Sequence, residues 1–141
     1  MNSKPELQKI DNLRQAQTEL NKINVHPIGV QIMALKAVYR LVKFEAVDPK
    51  TANIIKQEML SRGGDVAVAG TVGKFEETNT DIIIMGTLAQ HIRLVRKLKK
   101  QSFGCCQQIA SALTDLLFKD LDVDSTSVWW MLFFEFLVFD I

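Results

Sequence analysis

Residues 81–85 read DIIIM and run directly into Gly86-Thr87 and a helical pattern. An apolar run of this length, bounded by polar residues, is typical of a strand that is buried on both faces. Thr87 offers a side-chain acceptor to the first turn of the next segment, which predicts a helix N-cap. This stretch therefore predicts a buried strand of an α/β fold, followed at once by a helix.

The segments on either side of this stretch predict the other strands and helices of the fold. Asp48-Pro49 is a typical helix start, and Gly63-Gly64 is a helix end because glycine adopts the left-handed conformation without strain. β-branched and aromatic residues favour strands in the neighbouring segments. The predicted elements are strands at 38–47, 65–69 and 81–85 and helices at 28–37, 49–62, 88–100 and 105–117.

The fold class predicted is α/β, a small layered sheet of about three strands packed with helices. On the helices, the spacing assigns Val30, Met33 and Ala37 to one face, and Leu116 to the apolar face of the last helix. The expected core consists of Val42, Ile55, Met59, Val66, Val68, Ile82, Ile84, Ile92 and Val95.

Composition divides the chain into three parts. Residues 1–25 are polar with a thin apolar stripe, which predicts an N-terminal arm or a peripheral helix. Residues 26–118 form the α/β domain. Residues 119–141 form an atypical tail, which contains no basic side chain after Lys119 and holds the aromatic stretch WWMLFFEFLVF at 129–139. That stretch is too short to cross a bilayer, which takes about 20 apolar residues.

Charge and composition exclude several classes of protein. The 141 residues carry 17 basic and 16 acidic side chains, whereas a dedicated nucleic-acid-binding protein is markedly basic. The adjacent Cys105 and Cys106 cannot form a disulfide framework, and the first 25 residues contain no apolar signal region. We therefore expect a cytoplasmic protein with reduced thiols, no nucleic-acid partner and no transmembrane segment.

No catalytic, cofactor-binding or metal-binding residue emerges from the residue pattern. His26 and His91, the two histidines, do not lie at the spacing of a metal site. The basic cluster at 93–100 has the character of a solvated helix end, since cations are favoured there by the helix dipole.

The best candidate for a binding surface is an edge formed by Gly63, Gly64, Gly86 and Thr87. Glycines permit close backbone approach, and the N-terminus of the following helix favours an anion. The same edge could instead dock against another protein domain. Docking is favoured, because Gly86 is the one glycine at the strand tip and no lysine adjoins it.

The segments KFEAVDPKTANIIKQEMLSRGGDVAVAG (residues 43–70) and TDIIIMGTLAQHIRLVRKLKKQSFG (residues 80–104) are similar to the N-terminal domain that precedes the pterin-binding barrel in a branch of dihydropteroate synthases. The likeness extends over about residues 26–117. Ser102 stands where the family pattern has proline, and the chain departs from the pattern after about residue 119.

This resemblance implies a partner, the pterin-binding barrel, in the same polypeptide or in another. The barrel motifs N-x-T-P-D-S-F and S-x-R-P-G are absent from this sequence, and a barrel needs about 200–250 residues. The expectation is a non-catalytic domain of a folate-biosynthesis protein, truncated before the barrel. The alternative is a free-standing α/β binding or regulatory module.

Overall fold

The computed structural model describes residues 3–69 and 78–121. In chain order the elements are α1 (Leu13–Lys22), α2 (Pro27–Ala37), β1 (Tyr39–Val47), α3 (Pro49–Ser61), β2 (Asp65–Val68), β3 (Thr80–Thr87), α4 (Leu88–Lys99) and α5 (Cys106–Leu121). The α/β class and the three predicted strands are confirmed.

The three strands form an antiparallel sheet in the order β1-β3-β2, so the strand that contains the DIIIM run is the central one. Ile84 of β3 pairs with Val42 of β1 and with Val66 of β2. The β1–β3 register shifts between Phe44 and Val47, where Ala46 has a positive φ of 53°. The Ala46 N–H donates to Asp81 Oδ1 at 3.0 Å, so a side chain satisfies the backbone group at this bulge.

The two faces of the sheet differ. Side chains on one face pack against α3 and α4 and are buried; they are Val42, Val66, Ile82 and Ile84. Ile83 and Met85 on the other face are only half-buried. The prediction that residues 81–85 are buried on both faces is therefore wrong. Within the described residues the helices cover a single face of the sheet.

The core agrees closely with the prediction. All nine predicted residues are buried except Val68, which is partly buried because it ends the short edge strand β2. Buried residues that the prediction missed include Val38, Leu94, Leu98 and His91. Helix α4 is buried over more than one stripe because it contacts the sheet, α2, α3 and α5.

On two helices, some of the residues assigned to the apolar face were predicted wrongly. Met33 and Ala37 are exposed, and α2 buries Val30, Ala34 and Leu35, because it packs between α1 and α4. Leu116 of α5 is also exposed. The residues of α5 that are buried are Cys106, Ile109, Ala110, Leu113 and Leu117.

At the N-terminus, the helix is shorter than the apolar stripe suggests. Asn12 caps α1, its side chain accepting from the Gln15 N–H at 2.9 Å, and residues 3–11 lie outside any helix. Leu13 and Ala16 enter the core, which attaches α1 to the domain. At the other end α5 continues to Leu121, and residues 122–141 lie outside the described residues.

Candidate functional site

The candidate edge is built around the junction of β3 and α4. Thr87 caps α4: its hydroxyl accepts from the Gln90 N–H at 3.2 Å, and the Gln90 side chain accepts from the Thr87 N–H at 2.9 Å. This reciprocal pair is a capping box, which satisfies two backbone donors that a helix start leaves open. The N-cap predicted at Thr87 is confirmed.

Gln90 also connects this junction to the end of α3. Its Nε2 donates to the Arg62 carbonyl at 2.8 Å. Arg62 is followed by Gly63, which has a φ of 88°, the left-handed conformation predicted for a helix-ending glycine. The Gly64 N–H donates to the Met59 carbonyl at 2.9 Å, which satisfies one of the last carbonyls of α3.

Two of the edge glycines are required by packing. A Cβ on Gly86 would lie 2.7 Å from Met59 Cε and 2.8 Å from Gln90 Oε1. A Cβ on Gly64 would lie 2.7 Å from the Met85 carbonyl oxygen. The absence of side chains at these positions allows α3, β3 and Gln90 to meet without gaps.

The structure thus brings all four predicted edge residues together, but they are not equally accessible. Gly63 is exposed, Gly64 and Thr87 are half-buried, and Gly86 is buried. The backbone donors at the start of α4 are also engaged: the Leu88 N–H donates to the Val38 carbonyl at 2.9 Å, beside the two donors of the capping box. An anion at this helix end would therefore have to compete with these protein acceptors for the backbone donors.

A second polar cluster, which the sequence analysis did not find, joins α3 to α5. The buried Thr51 hydroxyl donates to Asp48 Oδ2 at 2.6 Å and accepts from the Cys105 N–H at 3.3 Å. The Cys105 thiol donates to the same carboxylate at 3.2 Å. Gly104, with a φ of 61°, brings its backbone against the Thr51 hydroxyl.

The acidities of this cluster follow its hydrogen bonds and burial. Burial raises the pKa of Asp48, but hydrogen bonds from Thr51 and Cys105 outweigh it and hold the pKa below its ordinary value. Burial raises the pKa of the Cys106 thiol. A protonated, buried thiol is a poor nucleophile. The cluster therefore has the character of a structural joint between two helices.

His91 is completely buried beneath β1. One of its ring nitrogens, Nε2, lies 2.9 Å from the Arg40 carbonyl, whereas its Nδ1 has no hydrogen-bond partner within residues 3–69 and 78–121. A carbonyl only accepts, so Nε2 carries a hydrogen. Burial lowers the pKa of His91, and the backbone hydrogen bonds oppose this only in part. His91 is a core residue that ties α4 to β1.

The basic end of α4 has one acidic neighbour on α3. Lys97 lies 3.9 Å from Glu58, and Arg62 at the end of α3 lies 3.6 Å from the same carboxylate. Lys97, Lys99 and Lys100 are exposed, as expected for a solvated helix end, whereas Arg93 and Arg96 are half-buried.

An open groove of about 340 Å³ lies along the outer side of α3. Its lining residues are Lys50, Asn53 and Ile54 of α3 together with Phe103, and the lining is mostly apolar. The sequence alone does not reveal this groove, because Phe103 lies about fifty residues away from the α3 side chains that complete it.

Among the described residues, neither a metal-binding cluster nor a membrane-spanning helix is found. No group of three or more metal-ligating side chains lies close enough together to hold an ion within residues 3–69 and 78–121. In the same part of the chain, no helix has the length and apolar character needed to span a membrane.

Comparison with known proteins relates this chain to one segment of a much longer protein. It is 37% identical over 95 residues to the probable bifunctional folylpolyglutamate synthase/dihydropteroate synthase of Halobacterium salinarum. The match covers 67% of this chain and 11% of that relative. No family model and no solved structure matches the sequence. The likeness supports a relationship to a folate-pathway protein at the level of this shared segment.

Proposed function

We propose that this chain is a non-catalytic domain of a folate-biosynthesis protein of the dihydropteroate synthase type, acting beside a pterin-binding barrel. The observation that carries the proposal is the 95-residue likeness to the halobacterial bifunctional relative. A segment that makes up 11% of that relative corresponds to most of the present chain, as expected for a domain appended to larger catalytic units.

The candidate edge supports a docking role. Its polar groups are used for internal hydrogen bonds, so Gly63, Gly64 and Thr87 present a rigid backbone surface. A preorganised surface loses little conformational entropy on association. In this proposal, the barrel packs against the exposed side of the edge, either in the same polypeptide or as a separate chain.

The two free thiols suit a reducing compartment, since Cys105 and Cys106 are unpaired and Cys106 is buried. We therefore place the domain in the cytoplasm, where the resemblance to dihydropteroate synthases also implies its partner.

The test is to mix the purified chain with a separately produced dihydropteroate synthase barrel. Binding is measured by isothermal titration, and turnover of pterin pyrophosphate with p-aminobenzoate is measured for each component and for the mixture. We expect association with the barrel and no turnover by the chain alone. Turnover by the isolated chain would contradict the non-catalytic role, and absence of association would contradict docking.

A matched pair of variants locates the docking surface. Gly63→Asn adds an amide at an exposed position, and asparagine tolerates the positive φ better than other side chains do. Ser111→Asn adds the same amide on the exposed surface of α5. We expect Gly63→Asn to weaken binding of the barrel and Ser111→Asn to leave it unchanged. Equal binding by both variants would remove the edge from the proposal.

The groove beside α3 favours a second candidate function, a small-molecule binding module. Titration of the chain with p-aminobenzoate and with pterin pyrophosphate tests it directly. Heat of binding that disappears in Phe103→Ala and persists in Leu116→Ala would support a ligand in the groove. Heat that is equal in both variants, or no heat at all, would contradict it.

A further inference from the structure

The open face of the sheet is an apolar surface that the described residues do not cover. By strand alternation it carries Leu41 on β1 and Ile83 and Met85 on β3, with Tyr39 at its end. Leu41 is 60% exposed and Tyr39 is 53% exposed. Such a surface on a small domain normally has an occupant.

The open face also carries charged side chains, because Lys43 is paired with Ile83 and Asp65 with Met85. Lys43 lies 3.8 Å from Glu45 and 3.9 Å from Asp81, and Asp65 lies 3.8 Å from Lys56. Each of these charges therefore has a neighbour of opposite sign. The apolar side chains between them suit an apolar or aromatic occupant better than a charged one.

The end of α5 lies beside the edge strand β1. Asp120, in the last turn, accepts from Arg40 Nε at 2.7 Å, and Arg40 also donates to the Asp11 carbonyl. Arg40 alternates with Tyr39 and Leu41, so its side chain leaves β1 on the packed side of the sheet. Because β1 is an edge strand, the open face lies one strand edge away from the end of α5.

The sequence that follows has suitable chemistry and sufficient length. Residues 129–139, WWMLFFEFLVF, contain six aromatic side chains and a single charge. The seven residues 122–128 span at most about 23 Å, whereas the outer strands of a three-stranded sheet are only about 10 Å apart. Attachment to the same polypeptide also gives the segment a high effective concentration at the face.

We propose that the open face formed by Tyr39, Leu41, Ile83 and Met85 is the docking surface for the aromatic segment 129–139 of the same chain. Covering the face removes both apolar surfaces from water, which stabilises the contact in proportion to the area buried. The proposal does not depend on the function of the domain, because it concerns the face of the sheet opposite α3 and α4.

The sequence supplies its own reporters for a test. Trp129 and Trp130 are the only tryptophans of the chain, and Tyr39 is its only tyrosine. In the full-length chain, we expect tryptophan emission typical of an apolar environment, weak quenching by acrylamide, and tyrosine emission lost by energy transfer to tryptophan. Leu41→Glu places a charge in the centre of the face. It should shift tryptophan emission to longer wavelength, increase acrylamide quenching and restore tyrosine emission.

Leu116→Glu is the matched control, since Leu116 is also a half-exposed leucine but lies on α5. It should leave all three signals unchanged. Circular dichroism checks that both variants keep their helices. If Leu41→Glu loses its helical signal, the test rests on energy transfer from Tyr39 to tryptophan in the unmodified chain. Tyrosine emission from the folded chain that is as strong as from the chain unfolded in urea would then overturn the proposal.

Four other results would overturn it. The first is solvent-like tryptophan emission in the unmodified chain, and the second is the same emission in Leu41→Glu as in the unmodified chain. The third is an emission shift that accompanies the loss of a dimer in sedimentation velocity, because a second copy would then be the occupant. The fourth is an equal emission shift in both variants, which would show that the segment does not recognise this face.

Discussion

The two faces of β3 present nearly the same chemistry to different surroundings. Ile82 and Ile84 are 1% and 0% exposed against α3 and α4, whereas Ile83 between them is only half-buried. Three consecutive isoleucines therefore contribute unequally to stability. The comparison shows that hydrophobicity along a strand identifies it as central, but the placement of the helices decides which side chains form the core.

The largest expected effect tests this contrast directly. Ile84→Ala removes three carbon atoms from a fully buried site and should lower the free energy of unfolding by about 3–4 kcal/mol. Leu41→Ala removes the same number from the open face and should cost less, about 1–2 kcal/mol, because among the described residues Leu41 is 60% exposed and only the proposed contact with residues 129–139 covers it. Urea denaturation of both variants measures the difference. Equal losses would show that the open face is packed as tightly as the core.

The next effect sharpens the contrast at the corner where the packed face ends. Gly64→Ala puts a Cβ 2.7 Å from the Met85 carbonyl oxygen and 2.8 Å from Met59 Cε. The Met59 side chain can change its conformation, but the Met85 carbonyl belongs to the backbone of β3 and cannot move away as easily. We expect a loss of about 2 kcal/mol. The control is Gly29→Ala in α2, where the nearest contact is Val25 Cγ1 at 3.1 Å and helix propensity favours alanine. It should change stability by less than about 1 kcal/mol.

A smaller effect is expected from the glutamine that holds this corner together. Gln90→Ala removes the acceptor for the Thr87 N–H and the donor to the Arg62 carbonyl. Both partners are half-buried, so the loss should be about 1–2 kcal/mol. Gln107→Ala removes an exposed bond to the Gln101 carbonyl and should cost less than about 0.5 kcal/mol. Thermal unfolding of the pair separates a joint between elements from a surface contact.

The features that the sequence predicted correctly have local causes. Asp48-Pro49 starts α3, and Gly63 ends it with the expected positive φ, because each signal lies within one turn of the element it bounds. Thr87 caps α4 for the same reason. The start of α1 was missed although its signal, Asn12, is equally local, because the apolar stripe continues beyond the helix in both directions.

The features that could not be predicted depend on contacts between distant residues. The Gln90 side chain reaches the Arg62 carbonyl across 28 positions, and Thr51 meets Cys105 across 54. Glycines and a helix cap identified the four residues of the candidate edge, but these signals could not show that Gly86 is buried beneath Gln90 and Met59. The open side of β3 was missed because a pattern of isoleucines does not tell how many layers of helix surround the sheet.

The smallest expected effect concerns His91, which lies at the end of the packed face and responds to pH. Burial lowers its pKa in the folded chain, so below the ordinary histidine pKa of about 6.5 the unfolded chain binds a proton that the folded chain does not. Stability must therefore decrease as the pH falls from 7.5 towards 5.5, by at most about 1.4 kcal/mol per pH unit for one proton.

His91→Gln keeps a donor for the Arg40 carbonyl but cannot titrate, so its stability should vary less over this range. His26→Asn keeps a side-chain acceptor at the start of α2 and is the matched control, with a pH dependence like that of the unmodified chain. Urea midpoints measured at four pH values decide the matter. If His91→Gln and the unmodified chain lose stability in parallel, the buried ring is not the group that titrates, and the packed face would be no more sensitive to protons than the open one.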